Sequence, residues 1–217
     1  MLILIGSNKG GSGKSTLAIN LAAIYSQQGK SVCIVDADNQ GTAYRWVQDR
    51  IEYGVSDRYI HTVKMSGKIK DQLAFEAKNH DITIVDVSGR NSIELVSAMM
   101  LADICITPAQ CSQFDLDVLS ELRHQFENAS IINPKLKVLI YHTMCNTNHL
   151  VSNTERQQFL DYLSDFPEFQ VLKCRQHYRK VYRDTVAEGK SVLEGENQDA
   201  KSELNKLLAA IEEVSHG

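Results

Sequence analysis

A chain of 217 residues with a formal net charge of −4 is long enough for one large domain and too acidic to hold nucleic acid by its overall charge. With 43% apolar and 23% charged residues it has the make-up of a packed protein, which excludes a disordered or low-complexity chain. Its five cysteines (Cys33, Cys105, Cys111, Cys145, Cys174) show no close pairing, so nothing in their spacing suggests a disulfide framework or a zinc site.

Leu2 to Ile5 is a short apolar run that reads as a buried parallel strand. A turn-rich segment follows from Gly6 to Gly13, then a helix over about 14–28, with Leu17, Leu21 and Ile24 on one face and Gly29 as its stop. SVCIVDADNQG (31–41) is a second buried strand, and 42–53 has mixed helical periodicity. The pattern then predicts a short strand at 59–63, a helix at 66–79, a strand at 82–90, a helix at 93–101 and a strand at 103–108 closed by Pro108. Beyond these come a helix at 115–129, a strand at 137–143, a helix at about 152–164 and a last short strand at 169–172. Residues 173–190 read as basic and irregular to helical, and 199–214 as an amphipathic helix with Leu204, Leu207, Leu208 and Ile211 on one face. Strands alternating with helices predict a single α/β domain over 1–217, a doubly wound, mostly parallel sheet flanked by helices. No apolar run approaches membrane-spanning length, and with no signal peptide ahead of the first loop a reducing, cytoplasmic location is expected.

The stretch LILIGSNKGGSGKST carries the chemistry. Strand, glycine loop and a helix opening on Lys-Ser is the phosphate-cradling arrangement of nucleotide-binding α/β proteins. Lys9, Gly10, Gly11, Ser12, Gly13, Lys14, Ser15 and Thr16 are the candidate nucleotide contacts. The helix N-terminus adds partial positive charge, Lys14 reaches the β- and γ-phosphates, and the Ser15 hydroxyl ligates Mg2+. The strict pattern wants glycine where Asn8 stands, and asparagine is the residue that best replaces glycine where φ is positive. IVDVSG (84–89) has the Walker B form: Asp86 would hold magnesium, in part through water, and the Gly89 N–H would sense the γ-phosphate. An apolar run ending in aspartate is common by itself; its place after KGGSGKST gives it meaning.

KGGSGKST, with its early lysine, resembles the deviant Walker A of the ParA/MinD-type ATPases, and the length is that of the small plasmid-partition ParA proteins of the ParF kind. VDADNQG resembles the second signature of that family, with Asn39 where proline is usual, and 82–117 resembles the region running from Walker B to the loop holding Pro108 and Asp115. The resemblance implies an Mg2+-dependent ATPase. In it Lys9 crosses a dimer interface to the partner's nucleotide, Asp38 orients the attacking water, and Asp36 supports magnesium and the loop. Asn146, in HTMCNTN, is a candidate for reading the adenine edge. An ATP-bound homodimer, nonspecific DNA, a nucleoid-associated location and a small centromere-binding adaptor of the ParB or ParG kind follow from the same resemblance. With the loop beginning almost at Met1, an N-terminal helix-turn-helix domain is not expected.

KCRQHYRKVYR (173–183) holds Lys173, Arg175, Arg179, Lys180 and Arg183 and no acid. It is a candidate DNA-phosphate surface; a solvated loop, or contact with nucleotide or the partner subunit, are the other readings. Two relatives acting elsewhere stay open as alternatives: a ParA-like ATPase of conjugative DNA transfer and a MinD-like membrane-positioning switch. Glu203, Glu212 and Glu213 on the terminal helix argue against a lipid-binding face and against stable membrane insertion. The lack of Cys-x-x-Cys argues against an iron–sulfur carrier.

Overall fold

The computed structural model describes residues 1–89, 92–111 and 116–216, without the side chains of 116, 117 and 216. Seven strands form one sheet: β1 (Leu2–Ile5), β2 (Val32–Ala37), β3 (His61–Lys64), β4 (Ile82–Val87), β5 (Ile104–Ala109), β6 (Lys137–Cys145) and β7 (Gln170–His177). Their order is β3-β2-β4-β1-β5-β6-β7, and every pairing is parallel. Eight α-helices among the described residues cover it: α1 (Lys14–Gln27), α2 (Thr42–Glu52), α3 (Lys70–Asn79), α4 (Ile93–Met99), α5 (Leu116–Ile132), α6 (His149–Leu163), α7 (Val181–Ala187) and α8 (Gln198–His216). The doubly wound α/β architecture is the one expected from the alternation of elements.

The continuous apolar runs of the central strands have a simple cause. A strand alternates its side chains between two faces, and here both faces are covered. Ile3 and Ile5 of β1 join the core under α1, α2 and α8, whereas Leu2 and Leu4 join the second core beneath the helices of the other face. β1 lies at the centre between β4 and β5, so the turn that leaves it opens where the chain's two directions of winding part.

One expectation changes. The last strand does not stop at residue 172 but runs to His177, so half of the basic segment is sheet. It is an edge strand, and charged side chains such as Lys173 and Arg175 are tolerated there because they blunt edge-to-edge pairing. In α8, Leu204, Leu207, Leu208 and Ile211 are all buried in the main core, and Glu203 beside them is buried too. An apolar face spent on the sheet is not available to a lipid surface, which removes the ground for a membrane switch built on this helix. No helix among the described residues is long and apolar enough to cross a membrane.

Candidate nucleotide site

The turn after β1 is shaped by its glycines. Gly13 caps α1 in the left-handed region at φ 92°, a conformation that costs a residue with a Cβ. No side chain caps α1 and its first turn holds no acid, so the N–H groups of that turn face the loop without a resident carboxylate. Asn8, expected in a positive-φ position, is not in one; it is buried, and its Nδ2 donates to Gln125 Oε1 at 3.2 Å. Among the described residues, the non-glycine residue with positive φ is Met144 (55°), near the end of β6, whose Cε lies 3.7 Å from where a Cβ on Gly13 would stand. Thr143 Oγ1 donates to the Ser12 carbonyl at 3.2 Å, and Gln110 Nε2 to the Gly11 carbonyl at 3.3 Å. The ends of β5 and β6 therefore buttress the loop from positions that no local motif marks.

Lys14 is buried and bends back over its own loop, with Nζ 2.7 Å from the Lys9 carbonyl and 3.4 Å from Ser7 Oγ. Burial lowers its pKa, and the nearby Asp86 and then Asp38 carboxylates partly restore it. Asp86, at the end of β4, is the partner of Ile5 on one side and of Asp36 on the other. Its side chain is fully buried and both carboxylate oxygens lack a hydrogen bond. Burial pushes its pKa up to about 7, while the Ser15 hydroxyl lies near enough to pull it down without reaching hydrogen-bonding geometry.

Asp36 differs. Its Oδ1 accepts from the Asp38 N–H (3.1 Å) and its Oδ2 from the Tyr44 N–H (2.7 Å), so it ties the turn between β2 and α2 and stands behind Asp86. Asp38 is half-buried and folds its own turn by accepting from the Gln40 N–H at 2.9 Å. Gly89 closes the far side. A Cβ there would lie 2.7–2.8 Å from backbone atoms of Lys9 and Gly10, so only glycine lets the turn after β4 lie against the phosphate loop. Lys14, Ser15, Asp36, Asp38, Asp86 and Gly89 are thus gathered at one end of the sheet. The exposed Asn146 follows β6, with its Oδ1 accepting from the Asn148 N–H. Asp115 lies outside the described residues.

The basic segment 173–183 runs from β7 into α7. It contains no acid in sequence, but acids from elsewhere reach it. Arg175 donates to the Ser152 carbonyl and to Asn153 Oδ1. Arg179 is held by Glu203 and by Asp199 (3.1 Å). Lys180 pairs with Asp184 on the surface. Arg175 and Arg179 brace the interior, which leaves Lys173, Lys180 and Arg183 as the exposed cations of this stretch.

A phosphate loop opening a helix, with a buried carboxylate at the next strand end of a parallel sheet, defines a P-loop nucleotide-binding protein. The protein belongs to the family described as the CobQ/CobB/MinD/ParA nucleotide binding domain, whose sequence model matches residues 3–213. Among its relatives, the maintenance of carboxysome distribution protein A of Halothiobacillus neapolitanus is 28% identical over 95% of this chain and 94% of its own length. The chromosome partitioning protein ParA of Myxococcus xanthus is 27% identical, covering 73% of this chain and 71% of the relative. A putative plasmid partition protein from Borrelia burgdorferi B31, solved bound to AMPPNP, has the same fold at a TM-score of 0.72 and 17% identity, covering 98% of each chain.

Proposed function

We propose that the protein is an Mg2+-dependent ATPase of the ParA type that positions a cargo by cycling between an ATP-bound dimer on DNA and a released form. The observation that carries this reading is the Asp86 carboxylate, buried without a hydrogen bond beside Ser15 and Lys14 at the mouth of the phosphate loop. Such a group is costly unless a cation completes it. Ser15 and Asp86 would hold the ion, with Asp36 behind them, and Mg2+ when bound supplies charge neutralisation at the β- and γ-phosphoryl oxygens.

ATP is the substrate, and its transfer to water needs positioning and charge more than covalent help. Lys14 turns from the Lys9 carbonyl to the β/γ-phosphates. Asp38 orients the water that attacks the γ-phosphorus as the bond to the β,γ-bridging oxygen breaks. Lys9 of the partner subunit adds positive charge late, so hydrolysis waits for dimerisation. Lys173, Lys180 and Arg183, doubled in the dimer, supply a sequence-independent grip on DNA phosphates. A small DNA-bound adaptor stimulates turnover, and Asn146 contacts the adenine edge.

Calorimetry and turnover assays test the assignment. Lys14→Ala is expected to lose MgATP binding. Lys9→Ala is expected to bind ATP without hydrolysing it, and Asp38→Ala to bind ATP and accumulate as a dimer with little turnover. A Lys9→Ala protein that binds no ATP, or an Asp38→Ala protein with parental turnover, removes that residue from the mechanism. A second reading concerns the cargo: a relative matched over nearly its whole length is named for carboxysome distribution, which supports a protein body as the alternative to a replicon. Co-purification of the ATP-bound dimer with an adaptor, and identification of what that adaptor coats, separates the two.

A further inference from the structure

The sheet edge opposite β7 holds a second cluster of metal-binding side chains. Cys33 on β2 and His61 on β3 are register partners. Glu76 lies on α3, and His80 follows its end. Glu76 Oε2 is 3.8 Å from Cys33 Sγ, 3.7 Å from His61 Nε2 and 3.6 Å from His80 Nδ1. The two imidazoles stack with centroids 5.1 Å apart and planes 9° apart. One donor atom from each of the four residues lies within 4.8 Å of the others. Cys33 is buried and the remaining three are half-buried.

The spacings discriminate between two accounts of the cluster. Hydrogen bonds between nitrogen and oxygen run at about 2.7–3.2 Å, and both histidine–carboxylate contacts are longer than that. Bond lengths of about 2.0–2.3 Å around a tetrahedral zinc ion give ligand-to-ligand edges of about 3.3–3.7 Å, close to the three distances to Glu76. His80 Nδ1 also lies 3.0 Å from the Glu76 carbonyl, so binding at this nitrogen exchanges that backbone contact for the ion.

We propose that Cys33, His61, Glu76 and His80 form a zinc site that clips β3 and α3 to β2. A thiolate, two imidazoles and a carboxylate suit borderline-soft zinc and not the hard Mg2+ of the nucleotide site. Four protein ligands make a closed, structural site. Cys33 stands three positions before Asp36 on β2, at the end of the strand away from the phosphate loop. β3 has only four residues and its other flank is the sheet edge, so a clip here holds an element with few contacts of its own. Binding displaces the thiol proton of Cys33, which makes affinity fall in acid.

The test uses the full chain without a histidine tag, chelator-treated and free of nucleotide, so that it is independent of the ATPase reading. Zinc is titrated against a chromophoric chelator, and Co2+ is added in parallel as a spectroscopic probe. One zinc per chain, a raised Tm with zinc, and a thiolate-to-cobalt charge-transfer band are expected. Cys33→Ser is expected to abolish that band. His61→Gln and His80→Gln, at less buried positions where folding is kept and checked by circular dichroism, are expected to weaken zinc at least about tenfold, or about 1.4 kcal/mol. Sub-stoichiometric zinc, a band that persists in Cys33→Ser, or unchanged affinity in both histidine variants overturns the site.

Discussion

At Asp86 the fold holds a carboxyl group in a place that disfavours its charge. Its pKa rises from an ordinary 3.8 to about 7, so between those values the native protein keeps a proton that the unfolded chain has released. Stability therefore falls as pH rises through that window, and the full penalty is present above it. Asp86→Asn is expected to raise the Tm of the nucleotide-free protein at about pH 8, by roughly 2–4 °C per kcal/mol relieved. The gain should vanish near the lower end of the window. Thermal scans at both pH values decide it; a gain of the same size at each would mean that Asp86 is not what titrates. Gly89 makes a steric demand. A methyl group there meets backbone atoms of Lys9 and Gly10, which cannot swing aside as a side chain would. Gly89→Ala is expected to push the loop out of register and lower ATP affinity at least about tenfold, read by calorimetry.

Among the elements, α8 and β7 depend on one carboxylate. Glu203 accepts from His177 Nδ1 (2.7 Å), from Arg179 Nε (3.1 Å) and Nη2 (3.0 Å), and from the Tyr182 hydroxyl (3.2 Å). It thereby links the end of the edge strand, α7 and the terminal helix. Removing Arg179 leaves a buried charge short of its main partner. Arg179→Ala should thus cost about 1.5–3 kcal/mol in denaturant unfolding, the scale of hydrogen bonds to a charged group. Lys180→Ala, which breaks an exposed pair with Asp184, should cost about 0–1 kcal/mol. Equal costs at the two positions would contradict the assignment of Arg179 to the interior.

For the whole molecule, an acidic chain can hold DNA only through a local patch, which the proposed dimer would double. DNA binding is expected to be weak without nucleotide, clear with ATP and indifferent to sequence. Replacing Lys173, Lys180 and Arg183 by Ala should flatten the log–log salt slope by about one unit per lost contact per subunit, while ATP binding is kept. Anisotropy titrations over a salt series measure both. An unchanged slope would place the DNA surface elsewhere, and a parent protein that binds no DNA in any nucleotide state would sink the partition cycle itself.

The residue string alone determined the layered fold and the phosphate loop, because both are written locally. Buried parallel strands need continuous apolar runs such as Leu2–Ile5 and Ile82–Val85, and a loop that wraps phosphate needs glycines at fixed offsets ahead of Lys14. Asp36, Asp38 and Asp86 were legible for the same reason, since strand ends in such a sheet converge. Tertiary structure decided what depends on elements far apart in the chain. The acids that neutralise Arg179 lie at 199 and 203. The extension of β7 to His177 comes from pairing with β6, which outweighs the weak strand signal of a charged edge. Met144, and not Asn8, takes the left-handed conformation beside the loop, where the pairing of β6 with β7 shifts register between His142 and Cys145. Nothing in the cysteine spacing suggested zinc; the proposed cluster of Cys33, His61, Glu76 and His80 comes from two strands and the end of a helix that the sheet order brings together.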